Sequence, residues 1–159
     1  MLFRSVYAAH DVATYIISEY WKRGEIITNL KLQKILYYIQ GYAYRFCNMA
    51  AFSEDIYKWP YGPVVPDVYF RYNHYHASPL QEPTEKDMTS ALFYLKRDVA
   101  LFGVIKDVIQ ASIDYSASDL VNKTHQELPW GNASDNSIIS NQSIAGYFYE
   151  NDPLKINRE

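Results

Sequence analysis

The spacing of apolar residues along the chain predicts helices through most of its length. The strongest pattern covers residues 28–46, where apolar side chains recur every three or four positions, as the buried face of an amphipathic helix requires. That apolar stripe consists of Leu32, Ile35, Leu36, Ile39, Ala43 and Phe46. Beside it lie a second stripe of Gln33, Tyr37, Gln40 and Tyr44 and a third stripe of Lys31, Lys34, Tyr38 and Arg45. We therefore predict a central helix that packs into the core through its first stripe.

The second and third stripes hold more aromatic and hydrogen-bonding side chains than a solvated helix face needs. Tyrosine is abundant throughout, with 16 residues, and it suits both protein interfaces and the outer layer of a core. An alternative interpretation is that the segment 59–72 packs over one stripe and only the other faces solvent. We expect such cover for one stripe but not for both, so the helix is predicted to present a binding face.

Helical patterns flank the central helix on both sides. Residues 10–22 repeat apolar side chains at helical spacing and are followed by Gly24, a common helix terminator. Thr28 or Asn29 suits the cap of the central helix, because a short polar side chain can accept a free N–H of the first turn. Further along, residues 66–74 predict a short helix that begins with proline and an acid.

Three more helices are predicted in the second half of the chain. A long helix begins at Thr84, and its predicted core face consists of Leu92, Leu95, Val99, Phe102, Ile105 and Ile109. A second capping pattern at Ser116 opens a short helix that ends near His125. Residues 131–142 are polar and predict a loop, and residues 143–149 predict the last short helix.

The predicted fold class is mainly α, a single compact multi-helix domain over residues 1–150. The only extended structure expected is a short alternating segment near residues 54–59. Gly62 and Pro63, which follow it, are typical turn residues. The last residues, 151–159, are predicted to be a frayed tail.

Composition argues against two classes of partner. The net charge is −3, whereas a protein that binds nucleic acid through phosphate contacts usually has an excess of basic residues. We find no signal-peptide pattern and no apolar run long enough to cross a bilayer. The single cysteine, Cys47, fits a reducing compartment. We therefore predict a cytoplasmic protein with neither a nucleic-acid nor a membrane partner.

Residues that could perform catalysis are few. His74 and His76 form an H-x-H pair, and His125 lies at a predicted helix end. Metal sites need three or four ligands, and two histidines alone indicate one only weakly. Motifs for nucleophilic, metalloprotease or nucleotide chemistry are missing from the sequence. We predict that the protein is not an enzyme and uses no cofactor, and a small hydrolase or metal enzyme using these histidines remains the weakest alternative.

Three motifs together resemble one known family. Residues 29–41 read N-L-K-L-Q-K-I-L-Y-Y-I-Q-G, and residues 59–69 read W-P-Y-G-P-V-V-P-D-V-Y, close to the family signature W-x-Y-G-P-V-V-P-E-V-Y. A third motif, L-x-x-x-T-H followed by P-W, occurs in residues 120–130. Their order and spacing resemble the Panacea domain, also called SocA-like, of antitoxins and phage-associated proteins. The resemblance extends over residues 6–150, and Asp67 departs from the usual glutamate.

This resemblance implies a helical domain that neutralises a cognate toxin, encoded next to it, by direct protein–protein binding. One family member instead delivers its toxin to the ClpXP protease, so a proteolytic adaptor is the main alternative. Some members carry an added DNA-binding domain, which we do not expect within these 159 residues.

The toxin contacts are expected to come from the motif residues and from the tyrosine-rich segment beside them. The candidate partner-binding residues are Lys31, Gln33, Lys34, Tyr38, Trp59, Tyr61, Gly62, Pro63, Tyr69, His125 and Trp130. Lys31, Gln33, Lys34 and Tyr38 are expected to contact the toxin from the central helix. His125 and Trp130 are predicted to lie near the turn at Gly62, where they either support the turn or join the contact.

Overall fold

The structure, a computed structural model, describes residues 7–159 and is mainly helical there. These residues form the helices α1 (Ala9–Lys22), α2 (Asn29–Cys47), α3 (Pro66–Tyr72), α4 (Glu85–Leu95), α5 (Val99–Ser112), α6 (Ala117–His125), α7 (Leu128–Gly131) and α8 (Asn141–Glu150). The strands are β1 (Ile56–Trp59), β2 (Gly62–Val64) and β3 (Ile138–Ile139). The predicted fold class, mainly α with little extended structure, is confirmed.

Helix α2 lies at the centre of the molecule and is covered on nearly every side. It contacts α1, α3, α5, α6, α8 and β2, and its side chains from Lys31 to Tyr44 are all buried. The Thr28 side chain accepts the N–H of Lys31 and caps the helix, as predicted. The expectation that one polar stripe faces solvent is wrong, because neighbouring elements cover both. Within residues 7–159, neither α2 nor any other helix combines the length and apolar content needed to cross a membrane.

The long helix predicted after Thr84 is interrupted and forms two helices, α4 and α5. The chain turns at residues 96–98, where the Asp98 carboxylate accepts the N–H of Leu101 at 3.0 Å and starts α5 as its cap. Val99, predicted to be in the core, is 81% exposed as a result. The predicted cap at Thr84 is confirmed, since its hydroxyl accepts the N–H of Asp87, and Ser116 forms a full capping box with Asp119.

The small sheet is antiparallel, with β1 between β2 and β3. Trp59 pairs with Gly62, so the two-residue turn of the hairpin consists of Pro60 and Tyr61. The prediction that Gly62 and Pro63 form the turn is therefore wrong by two positions, since both belong to β2. The expected loop at residues 131–142 also contains β3, which is too short to show a pattern in the sequence.

The end of the chain packs against the core. Residues 151–159 form neither helix nor strand, but the Tyr42 hydroxyl donates to Asp152 at 2.6 Å and accepts the N–H of Leu154 at 2.9 Å. Leu154 is itself buried. This differs from the frayed tail that the sequence predicts, because a buried tyrosine of α2 supplies hydrogen bonds that short-range patterns do not reveal.

Candidate functional site

Two polar side chains of α2 hold the outer edge of β2. The Lys34 ammonium nitrogen Nζ donates to the carbonyl of Pro63 at 3.0 Å, and the Gln33 carbonyl Oε1 accepts the N–H of Val65 at 2.9 Å. Both backbone groups lie on the edge of β2 that β1 does not pair, because alternate residues of a strand point their polar groups in opposite directions. These α2 side chains therefore take the place of a neighbouring strand.

The hairpin approaches α2 so closely that only glycine fits at the contact. A Cβ on Gly62 would lie 2.6 Å from Cε of Lys34 and 3.0 Å from Oγ1 of Thr124. Gly62 also has a φ of +113°, which residues with a side chain rarely adopt. Gly62, Lys34 and Thr124, one residue from each motif, thus meet at a single point beneath β2.

The third motif holds the hairpin from another side. The indole N–H of Trp130 donates to the carbonyl of Trp59 at 3.0 Å. The ring of His125 stacks on Trp130 with centroids 4.0 Å apart, and the ammonium of Lys58 lies 4.3 Å from the centroid of the same indole. Trp130 therefore binds the end of β1 next to the turn, and His125 packs on Trp130, so both lie near the turn as predicted.

Trp130→Phe is expected to loosen the hairpin with little change elsewhere. The substitution keeps an aromatic ring but removes the N–H that binds Trp59, a loss of about 0.5–1.5 kcal/mol. Amide hydrogen exchange in β1 and β2 should become up to about tenfold faster. Trp21→Phe is the matched control, since it removes a similar bond to the carbonyl of Leu80. If the amides of β1 and β2 exchange at the same rate in Trp130→Phe as in Trp21→Phe, this role of Trp130 is contradicted.

Aromatic side chains are exposed on and beside the supported hairpin. Tyr61, in the turn, is 70% exposed, and Phe70, on α3, is 60% exposed. Trp59, Tyr69 and Phe70 contact one another edge to face, with ring centroids 5.1–5.9 Å apart. Leu30, at the start of α2, is also partly exposed.

These elements enclose an open groove of about 350 Å³. Its apolar lining includes Leu30, Trp59, Pro60, Tyr61, Val64 and Tyr69. We refer to this cavity as the aromatic groove. It lies between the start of α2, the hairpin and α3, and the exposed ring of Tyr61 is part of its lining.

Two charged residues of the core, Lys34 and Glu127, have pKa values shifted by burial. Lys34 is fully buried, and burial lowers the pKa of its ammonium to about 7. Burial also raises the pKa of Glu127 to about 7. Its carboxylate accepts the hydroxyls of Tyr37 at 3.0 Å and Tyr38 at 2.8 Å. These groups bind the protein's own core and take no part in its surface.

The structure thus divides the predicted contact residues into three groups. Lys31, Gln33, Lys34, Tyr38, Gly62 and Pro63 are buried, Trp59, Tyr69, His125 and Trp130 are partly buried, and Tyr61 is exposed. We expected α2 to contact a partner through Lys31, Gln33, Lys34 and Tyr38. The structure does not agree with this expectation, because these side chains are buried inside the fold. Leu30 and Phe70 are exposed beside the groove or the hairpin without having been predicted as contact residues, although each is an apolar residue outside a core stripe.

The three histidines considered for catalysis do not form one cluster. His74 contacts Tyr75, with ring centroids 4.4 Å apart, and His76 lines the aromatic groove. His125 stacks on Trp130 instead. In residues 7–159, no group of three or more histidine, cysteine, aspartate or glutamate side chains is arranged to hold a metal ion.

Comparison with known protein families shows to which family the chain belongs. A family model described as antitoxin SocA-like, Panacea domain, matches residues 32–131, well over half of the chain. The chain belongs to this SocA-like antitoxin family. Comparisons with characterised proteins and with solved structures give no significant match. The matched range of the Panacea domain contains the hairpin, α3 and the His125–Trp130 stack, and membership supports an antitoxin-like role with a toxin as partner in general.

Proposed function

We propose that this Panacea-domain protein neutralises a cognate toxin by direct binding through the hairpin turn and the aromatic groove. The main support for this proposal is that the hairpin has a firmly held backbone but an exposed turn. Its backbone is bound by buried side chains of α2 and by Trp130, whereas Tyr61 in its turn is exposed. Three sequence motifs thus converge to present one aromatic surface.

Such a surface suits tight binding for a physical reason. An exposed ring on a fixed backbone loses little conformational freedom when a partner covers it, so more of the contact energy appears as affinity. Aromatic residues in well-packed pockets are also the side chains that most often dominate interfaces. We infer that the protein acts by occlusion, covering the active or membrane-inserting surface of the toxin, and that it performs no catalysis itself.

Tyr61→Ala tests this proposal in cells and in vitro. The protein is co-expressed with the toxin encoded next to it, and growth and co-purification are measured. We expect Tyr61→Ala to weaken the complex by about thirtyfold or more, the usual range for a hot-spot residue, and to lose growth rescue. Folding should be unaffected, because Tyr61 is largely solvent-exposed.

Tyr94→Ala is the matched control, since Tyr94 is about half exposed on α4, outside the hairpin. Rescue by Tyr61→Ala equal to that of Tyr94→Ala would contradict the proposed surface. Toxin abundance separates the two mechanisms. Occlusion leaves a stable complex, whereas an adaptor for a protease such as ClpXP makes the toxin disappear as growth recovers.

A further inference from the structure

The lining of the aromatic groove is mainly apolar. Among the described residues that line it, none is a lysine, arginine, aspartate or glutamate. The exposed side chains of Tyr61 and Leu30 extend the apolar surface to its rim. A charged group that entered this groove would lose water without gaining an opposite charge, which is unfavourable. The lining therefore selects for an uncharged occupant, although the whole chain carries a net charge of −3.

Two of the polar side chains in the lining already have partners within the protein. The Asn29 amide donates to the carbonyl of Tyr69 at 3.1 Å, and its oxygen accepts the amide of Gln33 at 2.9 Å. The Gln33 oxygen accepts the N–H of Val65. Asn73 and His76 add polar side chains to the lining, and the tyrosines and the tryptophan add one hydroxyl or indole N–H each to otherwise apolar rings. Two of the amide side chains are thus already used within the protein, and most of the lining offers apolar contact.

From this lining we propose that the aromatic groove receives one large, uncharged apolar side chain of the toxin, such as tryptophan, phenylalanine or leucine. The inference rests on the proposed function and names the chemistry of its partner. A cavity of about 350 Å³ is at the small end of ligand pockets, which measure roughly 300–1,000 Å³. It has room for an anchoring side chain and its neighbours but not for a whole protein surface.

The anchor is tested with a free amino-acid derivative and needs no toxin. The protein has three tryptophans, so labelling with ¹⁵N-indole gives three N–H signals, from Trp21, Trp59 and Trp130. N-acetyl-tryptophanamide is titrated in one series and N-acetyl-argininamide in another. We expect the uncharged probe to shift the signal of Trp59, which lines the groove, and to leave that of Trp21 unchanged.

Matched substitutions identify the groove as the binding site. Leu30→Glu places a carboxylate at the rim and should weaken binding of the uncharged probe by about tenfold or more. Leu128→Glu changes an exposed leucine of α7 that does not line the groove and should leave binding unchanged. Equal weakening by both substitutions would overturn the assignment of the site.

Four other results would also overturn the inference. They are equal or tighter binding of the arginine probe, a shift of Trp21 in place of Trp59, no shift of Trp59 with the uncharged probe, and a shift of Trp59 on dilution without probe. The last would show that a second copy of this chain occupies the groove. None of these results depends on whether Tyr61→Ala loses growth rescue. The toxin-binding proposal can therefore stand even if the groove does not bind an apolar side chain. Probe binding together with full rescue by Tyr61→Ala would overturn the assignment of a toxin side chain as the occupant of the groove.

Discussion

Phe148→Ala is expected to lower the free energy of unfolding by about 3–5 kcal/mol, the range for removing a buried aromatic side chain. Phe148 belongs to α8 and is fully buried. Its ring contacts those of Tyr37, Tyr38 and Tyr42 on α2, with centroids 5.7, 6.1 and 5.0 Å away. The ring thus fixes α8 to the central helix.

The effect of Gly41→Ala on stability should change sign when the Phe148 ring is removed, which tests the same contact. A Cβ at Gly41 would lie 2.2–2.5 Å from atoms of the Phe148 ring, so Gly41→Ala should overpack the core and destabilise the protein by about 1–3 kcal/mol. In the Phe148→Ala background the space is open. There, Gly41→Ala should stabilise the protein by up to about 1 kcal/mol, because alanine favours a helix more than glycine does.

The measurement is a double-mutant cycle by urea denaturation of the four proteins. Gly146→Ala, in α8, serves as a control, because a Cβ there meets nothing within 4 Å. A destabilising effect of Gly41→Ala that is the same in both backgrounds would show that the ring is not the cause.

Lys34→Met is expected to remove a strong pH dependence of stability. Burial lowers the pKa of Lys34 from 10.5 to about 7. Between these values the unfolded chain binds a proton that the folded protein has released, so stability rises with pH across this window. The contribution is at most about 1.4 kcal/mol per pH unit. Below about pH 7 both states are protonated, and the dependence from Lys34 ends.

The free energy of unfolding of wild type and Lys34→Met is compared at pH 7, 8 and 9. Methionine fills a similar volume, but it leaves the Pro63 carbonyl without its donor, a loss of about 1–3 kcal/mol that does not vary with pH. The free energy of unfolding of wild type minus that of Lys34→Met should therefore increase as pH rises. Glu127, whose pKa is raised to about 7, affects stability below this window and is common to both proteins. Parallel pH profiles would contradict a neutral buried Lys34.

Local patterns predicted most of the helices correctly. Caps such as Thr28 and Ser116 were visible in the sequence because a capping side chain lies within three residues of the N–H that it accepts. The apolar stripe of α2 was equally visible, since helical spacing reports which side of a helix faces the core. The break before α5 was missed because Asp98 lies within a continuing apolar pattern.

The role of the polar stripes could not be predicted from periodicity. A helix with a line of glutamine, lysine and tyrosine has the same sequence pattern whether these side chains contact a partner or an irregular part of their own chain. Here Gln40 accepts the N–H of Ala51, and Lys34 and Gln33 bind the segment around Pro63. Only the tertiary structure shows that these contacts are internal. The motifs were recognisable, yet the surface that they support consists partly of residues outside them, such as Phe70.

If the hairpin turn contacts the toxin, site-specific photo-crosslinking from the turn should capture that contact. A photoreactive phenylalanine analogue, p-benzoylphenylalanine, replaces Tyr61 in one protein and Tyr94 in another, and each is irradiated in its complex with the toxin. We expect a strong crosslink from position 61 and none from position 94. A crosslink from position 94 alone, with an intact complex and a silent position 61, would contradict it.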